Sequence, residues 1–337
     1  MLTQNKNIKL ILNYVAGPLL FCVLMYSIYS ELQARNVQQF SFAELSGIAD
    51  PVKLAGLAAV VCLMIANWGI EARKWQLLLQ RSSSISLKRS FSSIMSGNTL
   101  ALFTPNRLGE YAGRMVHLEK NSRLASIPVT MTCSAAQLLV TLVTGCTAFW
   151  LLRQRLFEAY GHGPNGELML SVGGCLLTTI TAFLTFFYFR MGILFGWLSS
   201  LRLFKKWACD TALWEDVNAT LLLRILSLSV IRYLVFIAQY YLLFSVFEVG
   251  INWWQAFWSL SLVFLLIALV PGMGVLTELG VRWKSCFHLL QLFSTNLGGI
   301  LAVTLVIWLI NMVIPALTGA ILIMRMKFLR KTGTGFT

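Results

Sequence analysis

Two stretches of this sequence place a proline, glycine, a glutamate and an arginine in nearly the same order. The first is Pro105-Asn106-Arg107-Leu108-Gly109-Glu110, with Arg114 four residues on. The second is Pro271-Gly272-Met273-Gly274, followed by Glu278 and Arg282. A proline stops a helix because it lacks an N–H and restricts the residue before it. Gly109, Gly272 and Gly274 then permit a tight turn and close backbone approach. A helix restarting after such a turn presents unpaired N–H groups and the positive end of its dipole, which suits a phosphate. Arg107, within the first turn, adds a planar fork for a phosphodiester. Glu110–Arg114 and Glu278–Arg282 are each four apart and so share a helix face. Two readings stay open for them. They are ligand-binding groups, or ion pairs that make insertion tolerable, since an ionised residue at mid-membrane costs about 2.5–3.5 kcal/mol.

Arg232 stands in the middle of an apolar run and requires an anionic partner, either Glu110 or Glu278 or a lipid phosphate. Arg224, two turns earlier, reads as snorkelling toward the cytoplasmic end. Glu71, Arg73, Lys74 and Trp75 close another apolar run and read as an interfacial anchor. Other chemistry finds little support. His117 and His288 have no second ligand at i+3 or i+4, and the seven cysteines form no Cys-x-x-Cys pair, so neither metal nor cofactor is expected. There is no nucleophile elbow, Walker loop, His-Glu-x-x-His or Asp-rich pair, which favours a non-enzyme.

These residues must be positioned by membrane-spanning elements. Only 12% of the 337 residues are charged, about half the share of a soluble domain, and mean hydropathy is +0.73. Too few charges are present to coat a globule. The fold class is therefore an all-α polytopic membrane protein. Six spans of about 20 apolar residues are expected near 10–29, 52–71, 124–152, 168–189, 217–247 and 296–324. Two further stretches, 89–104 and 252–270, each run up to a proline, and the first is rich in serine. Both read as half-crossing limbs of re-entrant hairpins, which are tolerated only inside protein or along a wet cavity.

Charge sets the orientation. Of the 27 Lys and Arg, 19 fall on the side of both termini and 6 on the other, leaving Arg224 and Arg232 within a span. Both termini are then cytoplasmic, in a bacterial-type inner membrane. A full crossing by 89–114 would put the later loops on the wrong sides. In this frame the net charge of +14 reflects the membrane and not a nucleic-acid partner. The segment 190–206 (RMGILFGWLSSLRLFKK) reads as an interfacial amphipathic helix favouring anionic lipid.

The two motifs belong to a repeat. Phe91 to Pro105 and Phe257 to Pro271 are both 14 residues, and Trp75-Gln76-Leu77-Leu78 falls on Tyr241-Leu242-Leu243-Phe244 in the same register. The chain is then one transmembrane domain, 1–337. Repeat A covers about 52–152 and repeat B about 217–324, with spans 10–29 and 168–189 outside them. Because the spans before the two hairpins run in opposite directions, the repeats are inverted and the hairpin tips meet near the midplane, as in many secondary transporters.

On Pro105-x-Arg107-x-Gly109-Glu110 with Arg114, Pro271-Gly272 with Glu278, and the Trp75 end of the second span, the chain resembles the transmembrane-domain family of lysylphosphatidylglycerol synthases, a flippase-like family. The resemblance covers essentially the whole sequence. It departs at Met273, where members often have a second glycine, at Gly274, one position early, and at Trp308, where an arginine often stands seven residues before a proline, here Pro315. The resemblance implies handling of phospholipids or polyprenyl-linked lipids. The cytosolic domain that transfers lysine in two-part members is not expected in a sequence ending about ten residues past its last span. The expected function is lipid transport, with Arg107, Glu110, Arg114, Arg232, Glu278 and Arg282 around the ligand. The hairpin tips would be Pro105, Asn106, Gly109, Pro271, Gly272 and Gly274. Alternatives are a membrane partner of a separate lipid-modifying enzyme, and an intramembrane transferase using Glu110 or Glu278 as base.

Overall fold

The computed structural model describes residues 50–102, 104–119, 122–161, 163, 165–193, 218–270 and 275–331, together with Tyr26. The expected first span, 10–29, therefore lies outside the described residues apart from Tyr26, as does most of the basic segment 190–206. Among the described residues the architecture is all-helical. Five helices are long and apolar enough to cross a membrane: Pro51–Leu79, Ser126–Tyr160, Gly166–Phe189, Ala219–Val246 and Leu297–Arg325. They coincide with the second to sixth expected spans, and the protein is an integral membrane protein by this criterion.

The element order is α1 (Pro51–Leu79), α2 (Leu87–Leu102), a single 3-10 turn (Pro105–Arg107), α3 (Gly109–Met115), α4 (Ser126–Tyr160) and α5 (Gly166–Phe189). It continues with α6 (Ala219–Val246), α7 (Trp253–Leu269), α8 (Val275–Leu290), α9 (Leu297–Trp308), a π-helical turn (Leu309–Val313) and α10 (Ile314–Lys331). Local chemistry sets several starts. Asp50 caps α1 by accepting from the Val52 N–H, ahead of Pro51 in the first turn. Asn218 does the same for α6, and Asn252 with Gln255 forms a reciprocal capping box on α7.

α1 and α6 lie antiparallel at the centre: Gln239 donates to the Val60 carbonyl, Arg232 meets Asn67, and Lys74 meets Ser229. The buried face of α6, Leu222, Ile225, Ser229, Tyr233, Ile237, Tyr240 and Phe244, follows the helical period. The sequence boundary at residue 71 was too early, because α1 continues to Leu79 with Trp75, Leu78 and Leu79 buried. α5 is peripheral. Leu168, Met169, Val172, Leu176, Ile180, Phe183 and Phe186 are exposed on it, as lipid contact requires.

α2 and α3 fold back on each other with almost no space between their backbones. A methyl group on Gly113 would collide with the backbone of Ser96 and come within 2.6 Å of the Gly97 Cα. One on Gly97 would come within 2.8 Å of Arg114 Cγ. At the turn, Asn106 and Arg107 adopt left-handed backbone (φ 50° and 56°), and Thr104 Oγ1 accepts from the Gly109 N–H at 2.6 Å. Consecutive left-handed non-glycine residues cost on the order of 1–3 kcal/mol each and cluster at functional sites. α7 ends with Val270 extended (φ −89°, ψ 121°), as a residue before proline should be. Pro271, Gly272 and Gly274, the tip expected for the second hairpin, lie outside the described residues.

The contacts exchange between halves. α2 packs on α10, where Thr99 Oγ1 donates to the Ala316 carbonyl and Gly319 admits the Met95 backbone. Reciprocally, α7 packs on α4, where Gly145 admits Leu265. Small residues allow this approach in both places. Thus α2 leans on α10 and α7 leans on α4, each far from it along the chain.

Candidate functional site

Six of the residues singled out in the sequence line one cavity of about 380 Å³. Arg107, Glu110, Arg114, Arg232, Glu278 and Arg282 all line it, from the 3-10 turn, α3, α6 and α8. Asn106, by contrast, lies on the adjoining pocket, and Gly109 is buried in the turn against Leu100. Both intrahelical pairs form: Arg114 Nη2 bonds Glu110 Oε1, and Arg282 Nη2 lies 3.1 Å from Glu278 Oε1. Arg107 reaches Glu110 at 3.4 Å and Asn98 at 3.1 Å.

The largest revision concerns Glu71. It is not an interfacial anchor but the buried hub of the site, 3% exposed. Its Oε1 accepts from Arg114 at 3.1 Å, and its Oε2 faces Lys74 Nζ at 2.8 Å and Arg232 Nη1 at 3.1 Å. The permanent partner expected for Arg232 is thus neither Glu110 nor Glu278 but Glu71. Arg232 also donates to Asn67 Oδ1 at 2.7 Å and Gln137 Oε1 at 3.4 Å, with its guanidinium 5.3 Å from the Trp68 ring. Lys74 is fully buried and completes its donors on the Cys133 carbonyl (3.1 Å) and Ser229 Oγ (3.2 Å). Arg224 is exposed near the start of α6.

Asn67, Glu71 and Lys74 recur at four and three residues, one face of a helix. That spacing was the available signal, and it was obscured because a polar cluster at the end of an apolar window looks like a membrane boundary. Gln137 on α4 and Tyr240 on α6 were missed for a different reason: single polar groups in apolar runs carry no local signature. Tyr240 is buried and its hydroxyl accepts from Arg282 Nη1 at 3.2 Å. The π-helical turn carries Asn311 and Met312 to the cavity wall just before Pro315, which has no N–H to continue the regular pattern. Trp308, the departure from the family pattern, lines the cavity as well.

Electrostatically the site is cationic. Four arginines and three glutamates line it, and Lys74 stands behind Glu71. On residues of the lining, Arg114 Nε and Nη1, Arg282 Nε, Trp68 Nε1 and Trp308 Nε1 are buried without an acceptor, behind the cavity wall and not on its surface. A second pocket of about 350 Å³ lies against the hairpin ends, lined by Asn106, Arg107, Ile267, Ala268, Val270, Thr277, Glu278 and Val281. The His117 ring lies 2.8 Å from Ser96 Oγ, and no group of three His, Cys, Asp or Glu able to hold a metal occurs among the described residues. Comparison of the chain with protein-family models finds no match, and comparison with curated proteins finds none either.

Proposed function

We propose that this protein is a lipid transporter of flippase type, handling an anionic phospholipid or polyprenyl-linked lipid in a bacterial-type inner membrane with both termini cytoplasmic. The observation that carries the reading is the cavity itself. A cavity lined by charged side chains with a cationic excess sits among apolar helices, with Arg232 at residue 14 of the 28 in α6. Charged groups inside a membrane bundle mark pathways for charged cargo. The family resemblance supports the same assignment, as does the exchanged packing of the halves, which suits two re-entrant hairpins in an inverted repeat.

In this reading the arginines neutralise the headgroup while Glu110 and Glu278 hold them between turnovers. A headgroup phosphate competes with Glu110 for Arg107, the more accessible of its two arginine partners, and for the Arg114 donor that Glu110 holds. Release restores the ion pairs, so no buried charge is left bare at either end of the cycle.

The test is reconstitution of wild type and Glu110→Gln into vesicles carrying headgroup-labelled lipids, scoring exchange between leaflets. Exchange of anionic lipid by wild type and its loss in a folded Glu110→Gln is expected. Wild-type protein that is folded yet exchanges no lipid would overturn the transport reading in favour of a partner of a separate lipid-modifying enzyme.

A further inference from the structure

The charge balance of the cavity, on the reading above that its occupant is an anion, narrows the ligand class. Four arginines of the lining (Arg107, Arg114, Arg232 and Arg282), with Lys74 buried directly behind Glu71, are set against three carboxylates (Glu71, Glu110 and Glu278), an excess of two positive charges in all. These groups come from every element bearing charge on the site: α1, the 3-10 turn, α3, α6 and α8. Charges withdrawn from water are stable only when balanced and hydrogen-bonded. A phosphodiester supplies one negative charge, whereas a terminal phosphate supplies roughly 1.5–2 at neutral pH and three acceptor oxygens.

The arginine side chains that the cavity leaves accessible are those of Arg107, Arg232 and Arg282, and they come from three different elements. The three oxygens of a terminal phosphate offer an acceptor to each. We infer that the site binds a terminal phosphate group, a phosphomonoester in its dianionic form, in preference to a phosphodiester headgroup.

Two sources share that chemistry: a lipid ending in a phosphate, and free inorganic phosphate. The second pocket distinguishes them in principle. It shares Arg107, Ala268 and Glu278 with the cavity and continues it with Ile267, Val270 and Val281. Leu266 and Leu269 are exposed on the neighbouring surface of α7. An acyl or prenyl chain attached to the phosphate fits this apolar continuation, which a free ion would leave unused.

The experiment is equilibrium binding to the purified full chain in detergent, using dioctanoyl phosphatidate, dioctanoyl phosphatidylglycerol, dioctanoyl phosphatidylcholine and inorganic phosphate. The expected result is phosphatidate binding about tenfold more tightly than phosphatidylglycerol near pH 8, the advantage collapsing near pH 5 as the monoester, with a second pKa of about 6, loses a charge. Phosphatidylglycerol titrates in neither range and so controls for changes in the protein. Equal or tighter binding of phosphatidylglycerol overturns the dianion inference and leaves the anionic-lipid reading standing. Binding of neither lipid above phosphatidylcholine overturns both. Inorganic phosphate matching phosphatidate supports the phosphate site but assigns it to the free ion. Arg107→Gln, at a partly exposed position least needed for folding, should reduce the monoester preference by about threefold or more. An unchanged preference in a folded Arg107→Gln overturns the charge-matching argument.

Discussion

Arg114 and Arg282 occupy corresponding places in the two hairpin pairs, yet their surroundings differ in kind. Arg114 is held by two carboxylates from two elements, Glu110 on its own helix and Glu71 on α1. Arg282 has one carboxylate, Glu278 on its own helix, and the neutral hydroxyl of Tyr240 on α6. In the register that sets Trp75 on Tyr241, Glu71 falls on Ile237 and Lys74 falls on Tyr240. One substitution of type at each of two positions thus separates a cross-linked ionic network from a simple pair. Arg114 is tied to α1 by charge, whereas Arg282 reaches α6 through one phenol. The same Glu–Arg spacing on a helix therefore does not fix how an arginine is held: Arg114 has a carboxylate on a second helix and Arg282 a phenol.

The largest expected effect comes from removing the hub. Glu71→Gln leaves Lys74, Arg114 and Arg232 short of a buried counter-charge, and breaking such a network costs roughly 3–5 kcal/mol. Glu278→Gln removes one partner of a pair whose carboxylate side chain is 20% exposed, with an expected cost of about 1–2 kcal/mol. Thermal unfolding of both variants in detergent measures the contrast. Equal losses would break the comparison, since they would show the second pair to be as deeply engaged as the first.

Tyr240→Phe refines it. The change deletes a hydroxyl but no charge, and Arg282 keeps Glu278 while a second of its donors joins Nε without a partner. A loss of about 1 kcal/mol is expected, the scale of one buried hydrogen bond. The same assay decides it: a loss approaching that of Glu71→Gln would mean that the phenol, not the carboxylate, anchors the second hairpin.

How much of this was legible beforehand follows from the range of each interaction. The helix break at Pro105 and the Glu110–Arg114 and Glu278–Arg282 spacings are local, encoded within five residues, and the sequence displays them directly. Five of the expected spans are visible as apolar windows for the same reason. Glu71 meets Arg114 at 43 residues' separation and Arg232 at 161, and no window contains both ends. Hydropathy even argues against it, because Glu71, Arg73 and Lys74 together end an apolar window at a point where the helix in fact continues for two more turns. Tyr240 has the weakest signature of all. A tyrosine in an apolar helix is ordinary, and only the position of Arg282 gives it a task.

The smallest effect supplies the scale for the others. Lys53 and Glu248 pair at 2.8 Å between the start of α1 and the loop after α6, with the glutamate 74% exposed. The ammonium group holds the Glu248 carboxyl below the usual carboxylate range, through a hydrogen bond first and its charge second. A carboxyl lowered in this way contributes stability above its unfolded value, near pH 4.3, and loses that contribution as pH falls through its folded value. The melting difference between wild type and Lys53→Gln should therefore be small at neutral pH and vanish once Glu248 is protonated. Water solvates either partner when the other is lost, so the exposed pair has little to lose. Its distance matches the 2.8 Å of Lys74 and Glu71, but it lacks both the burial and the further cations, Arg114 and Arg232, of that site. A Lys53→Gln loss comparable with that of Glu71→Gln would show that distance, and not the absence of water, sets the strength of these pairs, and the contrast between the hairpins would lose its physical basis.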